Sequence, residues 1–264
     1  MLPDTRGRPI NKRCLAALVA GFLALGSIGS TASAAGGGRS LALRSSTAAV
    51  TSPFTLIFQD DFNGTAVDTT AWSVFYGSGN GTNGPKAREN TFIDNGHLVM
   101  RAKMIGDTWY GAGVSNAKRV VQTYGKYEFM VRFDAGKGVR TAALLWPKDG
   151  WPPEVDFYEI SAMDIDRKTN LLANHYKPGN TIEHGPIKND FTQWHAVGVE
   201  WTPRALNFTL DGAVVKTMTE NVPQQPMWFG HNVALGGHSR GPDETTPSKV
   251  DVEIDWIKIY SYTP

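Results

Sequence analysis

The stretch whose reading decides the fold is Gly150–Ser161, GWPPEVDFYEIS. It sets Glu154, Asp156 and Glu159 among Trp151, Val155, Phe157, Tyr158 and Ile160. Acidic residues are uncommon in strands, and like charges on one face repel. In a regular strand alternate side chains share a face, so Glu154 and Asp156 point the same way. Glu159 falls on the opposite parity. One extra residue, a β-bulge around Phe157-Tyr158, restores the parity and turns all three acids to one side. Bulges are enriched beside active sites because they re-aim side chains in this way.

With that bulge the two glutamates stand about 13 Å apart along an extended backbone. Long side chains leaning together on a curved sheet have the reach to approach the ~5–5.5 Å spacing of retaining glycosidases. In that chemistry one carboxylate attacks the anomeric carbon, and the other protonates the leaving oxygen and then activates water. The middle acid can hold a proton or hydrogen bond against the nucleophile and help keep the acid's pKa raised. The plain alternative is a solvated strand face, ordinary in antiparallel sheets. The chain carries its own comparison in DVEID, where Asp251, Glu253 and Asp255 also alternate. That stretch lacks flanking Trp and Pro and reads as an ordinary strand face, or one holding a metal ligand.

Outward from the acids, the apolar spacing is mostly two. KYEFMVRF puts Tyr127, Phe129, Val131 and Phe133 on one face, and HAVGVEW does the same with Val197, Val199 and Trp201. LNFTLDGAVVK is two alternating runs around Asp211-Gly212, a strong hairpin signal. In KVDVEIDWIKIYSY, Val250, Val252, Ile254 and Trp256 share a phase, which then slips to Ile257 and Ile259. No segment sustains a helical period over three turns. Short strands between Gly, Pro, Asp and Asn turns predict an all-β sandwich.

The 264 residues carry a net charge of +1, which gives no electrostatic reason to expect a nucleic-acid partner. Charged residues make up 19% and aromatics 11%, so a packed core is expected and global disorder is not. Arg6, Arg8, Lys12 and Arg13 precede the apolar run CLAALVAGFLAL and the small-residue stretch GSIGSTASAA. This predicts a secretory signal over residues 1–35, an extracellular location, and no membrane attachment once the signal is removed. The alternative is an uncleaved signal anchor. Residues 36–53 read as a Gly/Ser/Ala-rich disordered leader and residues 54–264 as the functional domain. The single cysteine, Cys14, lies inside the signal. The mature domain is therefore expected to fold without disulfides, on core packing alone or with a metal.

WPPEVDFYE resembles glycoside hydrolase family 16, whose bulged pattern is E-x-D-x-x-E. Supporting segments follow in order: DDFNGTAVDTTAW, NGHLVMRA, YGKYEFMVRF, HAVGVEWTPRALNFTLDG and VEIDWIKIY. The resemblance runs from Phe58 to Tyr260. It implies a concanavalin-like β-jelly roll, two bent antiparallel sheets with a concave substrate cleft. It implies Glu154 as nucleophile, Asp156 as its helper and Glu159 as acid/base. It also implies Glu128 as a cleft-facing acid, Asn174 and Tyr176 as cleft-bordering residues, and Asn232 as a polar sugar contact. No catalytic cofactor is implied. A structural calcium ion is, at Asp61, Gly96 and Asp255, with an unmetalled surface Asp as the alternative; oxygen ligands suit a hard cation. Many members carry Trp-Pro-Ala-Phe-Trp before the acids, whereas RTAALLWP puts Arg140 and Leu144 there.

Trp146, Trp151, Tyr158 and Trp228 are candidates for stacking on sugars, with core packing as the alternative for each. Trp72, Trp201 and Trp256 read as core. The Gly-rich loop Tyr76–Asn90 reads as a cleft rim, with Arg88 and Asn90 as sugar contacts. His175, His184, His195 and His231 lack zinc-type spacing. The expected protein is a monomeric, secreted, retaining endo-glycosidase of an extracellular β-glucan, β-1,3 or mixed β-1,3-1,4. The alternatives are a transglycosylase, a hydrolase of a galactan-type polysaccharide, a non-catalytic lectin and a structural surface protein.

Overall fold

The computed structural model describes residues 52–79, 83–177, 181–236 and 240–264. The expected signal lies outside these residues, as does nearly all of the expected leader. The strands are β1 (Phe54–Asp60), β2 (Ser73–Val74), β3 (Thr91–Asp94), β4 (His97–Ile105), β5 (Thr108–Tyr110) and β6 (Ala112–Ser115). Then come β7 (Gly125–Phe133), β8 (Val139–Pro147), β9 (Glu154–Ile160), β10 (Thr169–Lys177) and β11 (Thr181–Lys188). The last are β12 (His195–Thr202), β13 (Ala205–Leu210), β14 (Ala213–Met218), β15 (Met227–Leu235) and β16 (Lys249–Tyr262). A 3-10 turn covers Arg88–Asn90. Among the described residues, no helix is long and apolar enough to cross a membrane.

Two antiparallel sheets face each other. The first runs β14-β13-β12-β7-β16-β4-β3, with β1 on β16 and β5 on β4. The second runs β11-β10-β9-β8-β15-β6-β2. The period-two residues fill the space between them. Tyr127, Phe129, Val131 and Phe133 of β7 are buried, as are Val197, Val199 and Trp201 of β12. Rings from the two sheets meet edge to face, with Phe129–Phe157 centroids 5.6 Å apart and Phe133–Tyr158 centroids 5.1 Å apart.

Local chemistry sets the turns and breaks. Leu210 pairs with Ala213, so Asp211-Gly212 is a two-residue hairpin loop. Both residues have positive φ, 51° and 81°, which suits the twist of the flanking strands. On β16 the phase slip is a bulge, between Ile254 and Trp256 in the pairing with β7. Ile257 and Ile259 thereby return to the core. Trp256 does not. It is only partly buried, with the Lys258 ammonium 4.8 Å from its ring centroid. Its expected core position is thus corrected, because the bulge turns it outward while its neighbours stay in.

Candidate active site

Strand β9 lies inside the second sheet, between β8 and β10. The bulge is present there. On β8, Ala143 pairs with Tyr158 and Leu144 with Asp156, leaving Phe157 without a partner. On β10, Leu171 pairs with Glu159 and Ala173 with Asp156, so one residue spans two. Phe157 and Tyr158 are both fully buried and both touch Phe129 of the opposing sheet, at 5.6 and 6.0 Å between centroids. Two successive side chains thus enter the core. Glu154, Asp156 and Glu159 are left on the outer face of the second sheet.

Their surroundings differ. The Trp151 indole N–H donates to Glu154 Oε2 at 2.7 Å, yet burial pushes the Glu154 carboxyl up, with the Glu159 charge adding to it. Asp156 is 1% exposed. Its Oδ2 lies 3.0 Å from His175 Nε2, and its Oδ1 is buried with no hydrogen-bond partner among the described residues. Burial lifts its carboxyl well above the usual range, and Glu154 and Glu159 push the same way. Both effects favour the protonated form of Asp156, which suits a middle acid sharing hydrogen bonds. Glu159 Oε1 is 4.0 Å from Arg140 Nη1. The DVEID acids have nearby basic side chains instead. Asp251 takes a bidentate pair of 2.7 Å bonds from Arg101, Glu253 accepts from Arg132 at 2.8 Å, and Asp255 lies 3.6 Å from His97.

A cavity of about 630 Å³ opens on the same face. Leu144, Trp146, Trp228 and Asn232 line it, with Tyr76–Gly79, Asn83 and Lys86 from the Gly-rich loop. Trp146 and Trp228 sit opposite each other in register. A Cβ on Gly230 would come within 2.9 Å of Trp228 Cζ3, so only glycine lets the indole lie that close to the strand. Trp151 is 40% exposed beside Glu154, its ring 6.1 Å from His175. Arg88 stands exposed outside the cavity lining, its guanidinium 4.1 Å from the Tyr76 ring, so it braces a rim residue. A second cavity, of about 350 Å³, lies between Arg140, Glu159 and Leu171.

Four expected cleft residues lie elsewhere. Glu128 is on the first sheet, not the acids' sheet, and Lys126 Nζ neutralises it at 2.9 Å. Tyr158 is core, its hydroxyl 2.6 Å from buried His231 Nε2. Asn174 is fully buried on the parity opposite to the acids, donating to the Asn221 carbonyl at 3.2 Å. Tyr176 lines a separate small cavity with Pro153 and Asn221–Gln225. Asn90 is also structural, since its amide donates to the Tyr110 and Gly111 carbonyls. Sequence reasoning gave no role to His175, whose strand position pairs with Glu154. The only signal was its place one residue after Asn174, and register was needed to read it.

Two places have donors for a cation. Asp156, Glu159 and His175 offer ligand atoms within 4.8 Å of one another, but these are the candidate reacting groups themselves. The other lies along one edge of β16, which pairs with β4 up to Ile254 and with β1 from Ile257. The gap between falls at Asp255, beside the turn that holds Gly96 and the end of β1 before Asp61. Both Asp61 carboxylate oxygens lie within 2.9 Å of Gln59 Nε2, so Asp61 would offer its backbone oxygen, beside the Gly96 carbonyl and the Asp255 carboxylate; such hard oxygen donors are the kind calcium takes.

The glycosyl hydrolases family 16 model matches residues 80–258. The chain belongs to glycosyl hydrolase family 16. The family is one of glycosyl hydrolases. It is 28% identical over 190 residues to the endo-1,3-1,4-beta-glycanase ExsH of Rhizobium meliloti (strain 1021), covering 67% of this chain and 41% of that one. It is 24% identical over 259 residues to a keratan-sulfate endo-1,4-beta-galactosidase of Sphingobacterium multivorum, covering 83% and 58%. The laminarinase structure from Flavobacterium sp. UMI-01 superposes with a TM-score of 0.69 at 26% identity, covering 78% of this chain and 100% of that one. The chain spans less than half the length of several curated relatives that it matches. The sandwich expected from the spacing is the family's jelly roll.

Proposed function

We propose that this family 16 enzyme is a secreted, retaining endo-β-glucanase whose first substrate is a β-1,3-glucan or mixed β-1,3-1,4-glucan. The observation that carries the reading is the Phe157-Tyr158 bulge, which leaves three differently environed acids on one face beside an aromatic-lined cleft. A Glu154 oxygen attacks the anomeric carbon as the glycosidic C–O bond breaks, and Glu159 gives its proton to the departing oxygen. Glu159 then takes a proton from water, which attacks the same carbon and releases Glu154. Asp156, held by His175, keeps a proton at the centre of the trio. Trp151 orients the nucleophile through its indole N–H. Trp146 and Trp228 offer flat apolar faces to sugar rings.

The ExsH and laminarinase likenesses support the glucan choice; the keratan-sulfate relative keeps a galactan as the second reading. The basic and apolar N-terminal runs support export, and the break along β16 supports a structural calcium ion. The test is digestion of laminarin, lichenan, curdlan, agarose and carrageenan with product analysis by the wild type, E154Q and E159Q. Laminarin or lichenan cleavage with retained anomeric configuration is expected, along with a loss of at least about 100-fold in either variant. Near-wild-type turnover by either variant sinks the assignment, and cleavage of agarose alone moves it to the galactan reading.

A further inference from the structure

Lys86 is the cationic residue of the described cleft lining, and the hydrolysis above does not use it. It lines the cavity that Trp146, Trp228 and Asn232 wall. Its Nζ is buried and has no hydrogen-bond partner among the described residues. An ammonium withdrawn from water without a counter-charge is costly. Burial, together with the positive Arg140 nearby, pushes its pKa down to about 8. Arg140, a like charge, adds to the imbalance; it has its own partners, one guanidinium nitrogen bound to Asn83 and another facing Glu159 at 4.0 Å.

The backbone holds Lys86 in place. Lys86 and Gly77 exchange two N–H···O bonds of 2.9 Å. On the other side, Gly111 N–H donates to the Pro85 carbonyl at 2.9 Å and Ala87 N–H to the Gly111 carbonyl at 3.3 Å. A stem anchored on both sides carries a flexible four-carbon arm with a strong donor at its tip. On the same lining, the acceptor Asn232 Oδ1 is buried with no hydrogen-bond partner among the described residues. A neutral sugar hydroxyl satisfies one donor but leaves the charge uncompensated. A sulfate or carboxylate on the sugar satisfies both.

We propose that Lys86 forms an anion-binding sugar subsite, and that among polysaccharides of one backbone the enzyme prefers the form that carries an acidic substituent, a sulfate ester or a carboxylate, on the residue bound between Trp146 and Trp228. This deepens the proposed endo-glycanase reading and rests on it. The substituent is recognised and not altered, so the bond cleaved and the acids that cleave it are unchanged.

The test uses neutral and sulfated partners of two backbones: laminari-oligosaccharides with their sulfated forms, and agaro-oligosaccharides with their sulfated forms. Affinity is measured by calorimetry on the catalytically disabled E154Q protein and on E154Q/K86M. The sulfated member of at least one pair is expected to bind about tenfold tighter, and K86M to erase that preference while sparing the neutral member. Equal affinity within both pairs, or no binding at all, overturns the proposal. So does a K86M loss that is equal for neutral and charged sugars, which would make Lys86 a hydroxyl ligand. Melting of the single K86M variant supplies a second readout. Removing an uncompensated charge should leave the melting temperature unchanged or raised; a marked fall overturns the reading of Lys86 as unpaired. Turnover of the wild type on the same sugars judges the glycanase reading separately, because the binding comparison needs no cleavage.

Discussion

At the residue scale, one position along a strand decides whether a side chain meets substrate or core. Asn174 is buried against the Asn221 carbonyl while His175, its neighbour, reaches Asp156. The two neutralisable acids make opposite predictions. Burial raises the Asp156 carboxyl, so the folded protein holds a proton that the unfolded chain has already released. Its contribution to stability therefore falls as pH rises from the unfolded carboxylate range toward the folded value. Replacing it, D156N, should raise the melting temperature at neutral pH and flatten its pH dependence, read by calorimetry from acid to neutral pH. Glu154, Glu159 and His175 face it, so the comparison is made as a difference between the two proteins. At Asp251, burial also pushes the carboxyl up, but Arg101 and Lys249 more than offset this and hold it below its ordinary value. Its stabilisation is present above the unfolded pKa and is lost as pH falls through the folded one. D251N should cost about 2 kcal/mol at neutral pH by urea titration, leave activity unchanged, and cost little in acid.

At the element scale, the bulge in β9 does two things with one extra residue. It sends two rings into the core and turns Glu159 outward. Deleting Phe157 should therefore keep the three acids on one face, because Glu154, Asp156 and Glu159 then alternate regularly. The lost ring should cost about 3–5 kcal/mol, since Phe157 packs on Tyr127, Phe129 and Phe229. The expected outcome is a lower urea midpoint with activity still well above that of E159Q. Activity no higher than that of E159Q in a folded deletion variant would show that the bulge positions Glu159 by more than parity. The bulge itself was legible in the chain, because three acids on mixed parity among apolar residues have few other arrangements. The pairing partners on β8 and β10 were not.

At the scale of the whole molecule, the domain holds two sheets together with no disulfide, since its single cysteine precedes it. Packing of rings between the sheets carries that load, and a cation at the break along β16 is the one added clamp proposed. Calcium at roughly 100 times its dissociation constant would add about 2.7 kcal/mol. The melting temperature should rise with calcium, fall with chelator, and lose both responses in D255N. Reducing agent should change nothing. A melting temperature indifferent to chelator would remove the ion from the account.

Period-two spacing determined the strands, because a half-buried sheet demands alternation whatever its partners. The same spacing, broken once, determined the bulge and the shared face of Glu154, Asp156 and Glu159. The Asp211-Gly212 turn was equally local, since a two-residue loop of this kind needs positive φ at both positions. Only tertiary structure decided which sheet each strand joins, and so whether an outward acid meets sugar or solvent. Glu128 and Asp156 both alternate with buried aromatics, yet they lie on different sheets. It also decided that Trp146 faces Trp228, that His175 faces Asp156, and that Lys86 meets a cavity and, among the described residues, no acid. Those are contacts between residues far apart in the chain, and alternation within one strand carries no information about them.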